Sequence, residues 1–165
     1  MRRACFLDRD GTIIALRSDG VSVRSADEVR LLDGATAAIA RLRAAGLLAI
    51  VVTNQPGVVL GLYTRESVTA ATARMHELLA EAGVTLDDVF ICLHGPTDDC
   101  ACRKPRPGML LDAAARHGID LARSFMVGDL ETDVAAGEAA GCRSLRIGTP
   151  ELPDLAAAVE SILSK

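Results

Sequence analysis

Two aspartates separated by one residue and followed by glycine, Asp8-Arg9-Asp10-Gly11, are the first residues in this chain whose types and spacing suit chemistry. At the end of a strand alternate side chains point the same way, so both carboxylates can face one pocket. Two carboxylates that close repel each other unless a cation lies between them. Asp129, which also follows a short apolar run and a glycine, supplies a third oxygen ligand. Few carboxylates, all-oxygen ligation and open positions suit Mg²⁺, which keeps waters and takes phosphate oxygens. An EF-hand calcium loop beginning at Asp8 is excluded, because its sixth position is Ile13 rather than glycine and its twelfth is Asp19 rather than glutamate.

A second, softer set of ligands lies in "ICLHGPTDDCACRKP", Ile91 to Pro105. Cys92-x-His94 and Cys100-x-Cys102 are two pairs spaced i, i+2 and separated by five residues. In extended chain each pair points to one side. Four N/S donors fit a tetrahedral, closed, structural Zn²⁺ site, whereas a catalytic zinc keeps only three protein ligands. Clustered cysteines beside a histidine also point to a reducing compartment. Cys5 and Cys142, in apolar runs, are expected in the core. Lys104 stands two residues past the last soft ligand. The chain holds 18 basic residues, of which only Lys104 and Lys165 are lysine. A lysine at this place offers a compact point charge rather than the fork of arginine. Neither lysine follows a glycine-rich loop, which excludes a Walker-type nucleotide site.

The elements that must carry these residues follow from the apolar pattern. Strands are expected at 4–8, 47–53, 88–93, 124–128 and 142–148. Helices are expected at 35–46, 64–83, 107–118, 131–141 and 152–165, with Thr64 as an N-cap and Gly46 and Gly83 as stops. Near-continuous apolar strands alternating with helices predict an α/β fold, a parallel sheet covered on both faces. Residues 13–33 are the least patterned and are expected to form a long loop or small β-flap. In such folds ligands gather at the carboxyl ends of the strands. Asp8-Arg9-Asp10, Thr53-Asn54-Gln55, the Cys/His segment and Gly128-Asp129 all fall there.

Taken together, "FLDRDGT", "VVTNQ", "CRKPRPG" and "VGDLETD" resemble, in order and spacing, the four motifs of the haloacid dehalogenase superfamily across nearly the whole chain. That resemblance implies a Rossmann-like phosphatase acting through an aspartyl-phosphate. Asp8 is then the nucleophile. Asp10 is the acid and base, its backbone carbonyl rather than its carboxylate reaching the metal. Thr53 and Lys104 bind the phosphoryl oxygens, and Asp129 completes the Mg²⁺ set. Asp133 is expected to support the metal ligands, or else to be a solvated carboxylate in a helix's first turn. The soft-ligand loop narrows the resemblance to a capless branch that includes histidinol-phosphate and heptose-bisphosphate phosphatases. One domain spanning 1–165 is implied, with the zinc loop 92–102 inserted after the third strand. Substrate contacts are implied at Asn54, Arg103 and Lys104.

Two positions depart from the heptose branch. Leu60 and Leu130 stand where that branch usually carries basic residues, which weakens the case for a second phosphate on the substrate. The expected substrate is a small phosphate ester, either a sugar phosphate related to D-glycero-D-manno-heptose 1,7-bisphosphate or histidinol phosphate.

Composition excludes other classes. A net charge of −4, a pI near 5.3 and four aromatic residues argue against nucleic acid as a partner, and so against a polynucleotide 3′-phosphatase. A phospho-receiver domain is disfavoured because its acceptor aspartate follows the third strand, and here the DxD follows the first. No apolar run is long enough to span a membrane, and the N-terminus reaches charge before a signal-peptide core could form. A cytoplasmic monomer is the expectation.

Overall fold

In the computed structural model, which describes residues 1–164, five strands form one parallel sheet in the order β3-β2-β1-β4-β5. The strands are β1 (Arg3–Leu7), β2 (Leu47–Asn54), β3 (Asp88–Cys92), β4 (Phe125–Gly128) and β5 (Arg143–Arg146). The helices between and after them are α1 (Ala35–Ala44), α2 (Arg65–Glu81), α3 (Gly108–His117), α4 (Glu131–Ala140) and α5 (Leu155–Leu163). The expected α/β fold is therefore present, with every element in the expected order. Boundaries moved by a few residues. The last helix starts at Leu155 rather than Leu152 because Asp154 caps it, accepting from Ala157 N at 2.9 Å. The expectation of helix at Lys165 lies outside the described residues.

Sheet alternation sorts the core into two layers. Cys5, Leu7, Ala49, Val51 and Val127 face α1, α2 and α5, contributing to a cluster with Ile39, Met75 and Ile162. Ala4, Phe6, Ile50, Val52 and Met126 face the other way, onto Leu110 and Ala113 of α3 and Ala136 of α4. Cys5 and Cys142 are buried, as expected of core residues. Thr64 caps α2, its hydroxyl accepting from Ser67 N at 3.1 Å.

After β1 the chain steps to β2 and β3 on one side, then returns to β4 on the other. β1 thus lies at the reversal of strand order, where a crevice opens at the carboxyl ends. Residues 13–33 form a loop with one 3₁₀ turn, Ala26–Glu28, rather than a β-flap. Backbone bonds close its neck: Ala15 N donates to Arg30 O and Leu32 N to Ile13 O, both at 2.9 Å. Ile13, Ile14, Val23 and Val29 bury their side chains beneath it.

Candidate active site

Asp8 is the first residue beyond β1, and its N–H donates to Val127 O at 3.0 Å, which ties it to the end of β4. Asp129 follows the last residue of β4, and the first turn of α4 carries Asp133 inward. Oxygens of Asp8, Asp129 and Asp133 all lie within 4.8 Å of one another. Two glycines permit this crowding. A Cβ on Gly128 would overlap the Asp133 carboxylate, and one on Gly11, held at φ +85°, would overlap that of Asp129.

Lys104 is the counter-charge. Its Nζ lies 2.7 Å from Asp8 Oδ1 and 2.6 Å from Asp133 Oδ1, and donates to Val52 O at 2.8 Å. The contact with Asp133 is an ion pair whose angle falls outside hydrogen-bond geometry. Burial opposes the ammonium charge, but the two carboxylates outweigh it and raise the Lys104 pKa. Burial pushes the Asp8 carboxyl up, and Asp133 adds to this against the pull of Lys104. Burial and the charge of Asp8 push Asp129 up to about 7. Three carboxylates share one ammonium, so the centre lacks positive charge. Asp129 Oδ1 is also buried without a partner. An orphaned hard oxygen in an over-negative cluster is what Mg²⁺ fits.

The other expected residues fall around this centre in different ways. Thr53, 1% exposed, lines the same cavity as Asp8, and its hydroxyl accepts from Gln55 Nε2 at 2.9 Å. Asp10 also lines that cavity, but its carboxylate is not free. It accepts from Arg9 Nε at 2.8 Å, Arg9 Nη2 at 3.2 Å, Gln55 Nε2 at 2.9 Å and Val23 N at 3.3 Å. The side-chain ligand cluster pairs Asp8 and Asp129 with Asp133, not with the Asp10 carboxylate.

Asn54 lines the cavity at Asp8, where a substrate contact is expected, while its amide is also engaged within the chain. Both ends of its amide bind the Lys104 backbone, Nδ2 donating to Lys104 O and Oδ1 accepting from Lys104 N, each at 3.0 Å. These two bonds clamp Lys104 to β2. Arg103 opens onto a neighbouring cavity with Pro96, Asp98 and Arg106 rather than onto the one at Asp8, with Nη1 buried and unpartnered. Asp133, at 1% exposure, is not a solvated carboxylate. It pairs with Lys104, and its Oδ2 accepts from Leu130 N at 3.0 Å.

Three residues escaped sequence reasoning. Arg9, fully buried, holds Asp10 from the neighbouring position. Gln55 bridges Asp10 and Thr53, and Tyr63 Oη donates to Gln55 Oε1 at 2.8 Å. Gly57 leaves the room that the Tyr63 ring fills. The only available signal was an arginine between two acids and a glutamine straight after Thr53-Asn54.

The soft ligands converge where β3 ends. Cys92, His94, Cys100 and Cys102 bring one donor each within 4.8 Å of all the others. His94 Nδ1 lies 3.5 Å from Cys92 Sγ and 3.3 Å from Cys102 Sγ, and Cys92 Sγ lies 3.9 Å from Cys100 Sγ. Burial and the neighbouring Cys92 and Cys100 push the Cys102 thiol up to about 12. Three thiols this close cannot ionise together without a cation, and the S₃N donor set fits tetrahedral zinc. Asp98 Oδ2 closes the loop, accepting from Gly95 N at 2.7 Å. Arg106, through Asp99 and Cys100 O, ties the loop to the segment after Lys104.

Comparisons with known proteins show the family to which the chain belongs. A HAD-hydrolase-like family model matches residues 101–157. The chain is 40% identical to the D-glycero-beta-D-manno-heptose-1,7-bisphosphate 7-phosphatase of Bordetella bronchiseptica, over 97% of each chain. It is 37% identical to the protein of that name from Escherichia coli, covering 98% of this chain and 88% of the relative. Its fold superposes on the crystal structure of the D,D-heptose 1,7-bisphosphate phosphatase of B. bronchiseptica, complexed with magnesium and phosphate. That match has a TM-score of 0.89, 38% identity and 98% coverage of both chains.

Proposed function

Because the chain belongs to the haloacid dehalogenase-like phosphatases, we propose that it is a Mg²⁺-dependent phosphomonoesterase acting on a small sugar phosphate. The substrate class is that of the heptose bisphosphate named for its relatives. The observation that carries this is the meeting of Asp8, Lys104, Asp129 and Asp133 in one cavity at the strand reversal. Asp8 and Asp129, with the Asp10 carbonyl, are the residues assigned to the metal. When bound, Mg²⁺ offsets the carboxylate repulsion and the charge of the phosphoryl group.

The chain's own groups then divide the work. An Asp8 oxygen attacks phosphorus as the bond to the ester oxygen breaks, and the departing alkoxide takes a proton from Asp10. Water next attacks the phosphorus of the aspartyl-phosphate, losing its proton to Asp10. The bond to Asp8 breaks, freeing phosphate and restoring the carboxylate. Arg9 and Gln55 fix where the Asp10 carboxyl points through both steps. Lys104 holds Asp8 in line and, with Thr53, meets the phosphoryl oxygens as their charge rises. We infer one catalytic unit over the chain, with zinc as a structural staple, working in the cytoplasm as a monomer. Among the described residues no helix is long and apolar enough to cross a membrane.

The test is chemical trapping. Acid quench during turnover should leave a phosphoryl adduct on the peptide holding Asp8, detectable by mass spectrometry and absent in Asp8→Asn. Full turnover by Asp8→Asn would overturn the nucleophile assignment.

A further inference from the structure

A second cavity, about 330 Å³ in volume, meets the catalytic one at Asp129, which lines both. Its other walls come from the turn after β1, the approach to α1 and the segment between β5 and α5. Leu32, Ile147 and Leu155 supply carbon, the last two each 3% exposed. Asp33, Asp129 and Asp154 supply three carboxylates, and among the described residues no basic side chain lines the cavity to balance them. Thr12 is the observation that points to a ligand. It is 1% exposed, it lines this cavity, and its hydroxyl is buried without a partner. A buried hydroxyl left unpaired costs free energy that a bound donor recovers.

Three carboxylates without a counter-charge call for a cation, and the carbon wall says which kind. Among the described residues, two sets of side chains bring their donors within 4.8 Å of one another: the thiol loop and Asp8, Asp129 and Asp133. Asp33 and Asp154 belong to neither set, so with Asp129 they do not close on a bare metal ion. Asp154 also uses one oxygen to accept from Ala157 N at the start of α5. Carboxylates set apart around an apolar surface fit an organic cation instead. Its ammonium donates to carboxylate and hydroxyl oxygens, and its carbon chain covers Leu32, Ile147 and Leu155.

We propose that the cavity formed by Thr12, Leu32, Asp33, Asp154 and Leu155 behind Asp129 binds a small aliphatic amine, and that the bound amine weakens Mg²⁺ binding at Asp129. The site is independent of the phosphatase reading above; its effect on the metal rests on Asp129 as a Mg²⁺ ligand. An ammonium in this cavity lowers the negative potential that the shared carboxylate offers to Mg²⁺ on its other side. The coupling is reciprocal, so Mg²⁺ weakens the amine by the same factor.

Calorimetry on the intact, zinc-loaded protein tests both parts, with 1,4-diaminobutane as the probe. Without Mg²⁺ the diamine should bind at a single site, and KCl or butanoate at matched ionic strength should give no saturable heat. Asp33→Asn and Asp154→Asn together should weaken the diamine by about tenfold or more. Asparagine caps a helix as well as aspartate, so this variant keeps α5. Thr12→Val, which removes the hydroxyl and keeps the shape, should weaken it by about three- to tenfold. In the presence of the diamine, Mg²⁺ affinity should fall by about fivefold or more, and the Asp33/Asp154 variant should lose that effect. No binding without Mg²⁺, or binding unmoved by both variants, would overturn the site. Binding lost in Asp8→Asn and kept in the Asp33/Asp154 variant would put the amine in the catalytic cavity and overturn it equally. Unchanged Mg²⁺ affinity with the diamine bound would overturn the coupling.

Discussion

The carboxylate centre and the thiol loop lie at the same edge of the sheet and are built on opposite plans. Asp8, Asp129 and Asp133 present hard oxygens around an open cavity, with one ammonium for three acids and an oxygen of Asp129 left without a partner. Cys92, His94, Cys100 and Cys102 present soft donors turned on one another, with Cys102 Sγ 3.0 Å from Cys92 Sγ. The first arrangement leaves positions for a substrate. The second closes a coordination sphere. A metal therefore takes part in chemistry only where the protein leaves its shell incomplete. Lys104 joins the two regions, since it leaves the thiol loop two residues after Cys102 and ends between Asp8 and Asp133.

Asp8→Asn should separate the regions most sharply. Phosphate release should fall by about 10³-fold or more, since the nucleophile is gone. Zinc content, read by atomic absorption, should stay at one equivalent. A loss of zinc in this variant would mean that the two regions are not independent.

Lys104→Met comes next and strikes the link. Removing the ammonium leaves Asp8 and Asp133 buried and unpaired, which should cost about 3–5 kcal/mol of stability in the metal-free protein. It should also lower kcat/KM roughly 10²-fold. Denaturant melts with and without Mg²⁺ check the first figure, and most of the lost stability should return with the metal.

A smaller effect comes from pH. Asp129 has a folded pKa near 7, raised from 3.8, so the folded state holds its proton more tightly than the unfolded chain. Its contribution to metal-free stability is therefore most favourable at low pH and falls as pH rises from about 4 to about 7. In EDTA the melting temperature of the wild type should decline across that window relative to Asp129→Asn, and Mg²⁺ should flatten the difference. A wild-type advantage that grows with pH in EDTA would contradict the crowding of carboxylates at this centre.

Much of this contrast is legible in the residues alone, for a physical reason. Asp8, Thr53 and Asp129 fall at the carboxyl ends of apolar runs, and a parallel sheet gathers such ends on one edge. The four soft ligands declare themselves by type and spacing. What spacing cannot supply is the direction of a side chain set by a neighbour's backbone. Asp133 reads either as a support for the metal ligands or as a solvated helix-turn carboxylate, and spacing cannot choose between them until Gly128 lets it approach β4. Asn54 reads as a ligand contact, and spacing gives no sign that its amide also holds the Lys104 backbone. Arg9 reads as one of many arginines until its fork closes on Asp10. Residues 13–33 show no period because neck hydrogen bonds and the Arg17–Glu28 pair hold them, not a repeating apolar face.

The separation of roles is tested most directly by stripping zinc from the intact protein and titrating the two ligands of the carboxylate centre by calorimetry. Mg²⁺ affinity should change less than about threefold, because Asp8 and Asp129 are held by β1 and β4 rather than by the thiol loop. Affinity for inorganic phosphate should weaken by about 10- to 100-fold, because Lys104 loses the fixed chain that aims it. Unchanged phosphate binding in the zinc-free protein, or loss of Mg²⁺ binding along with zinc, would contradict the account.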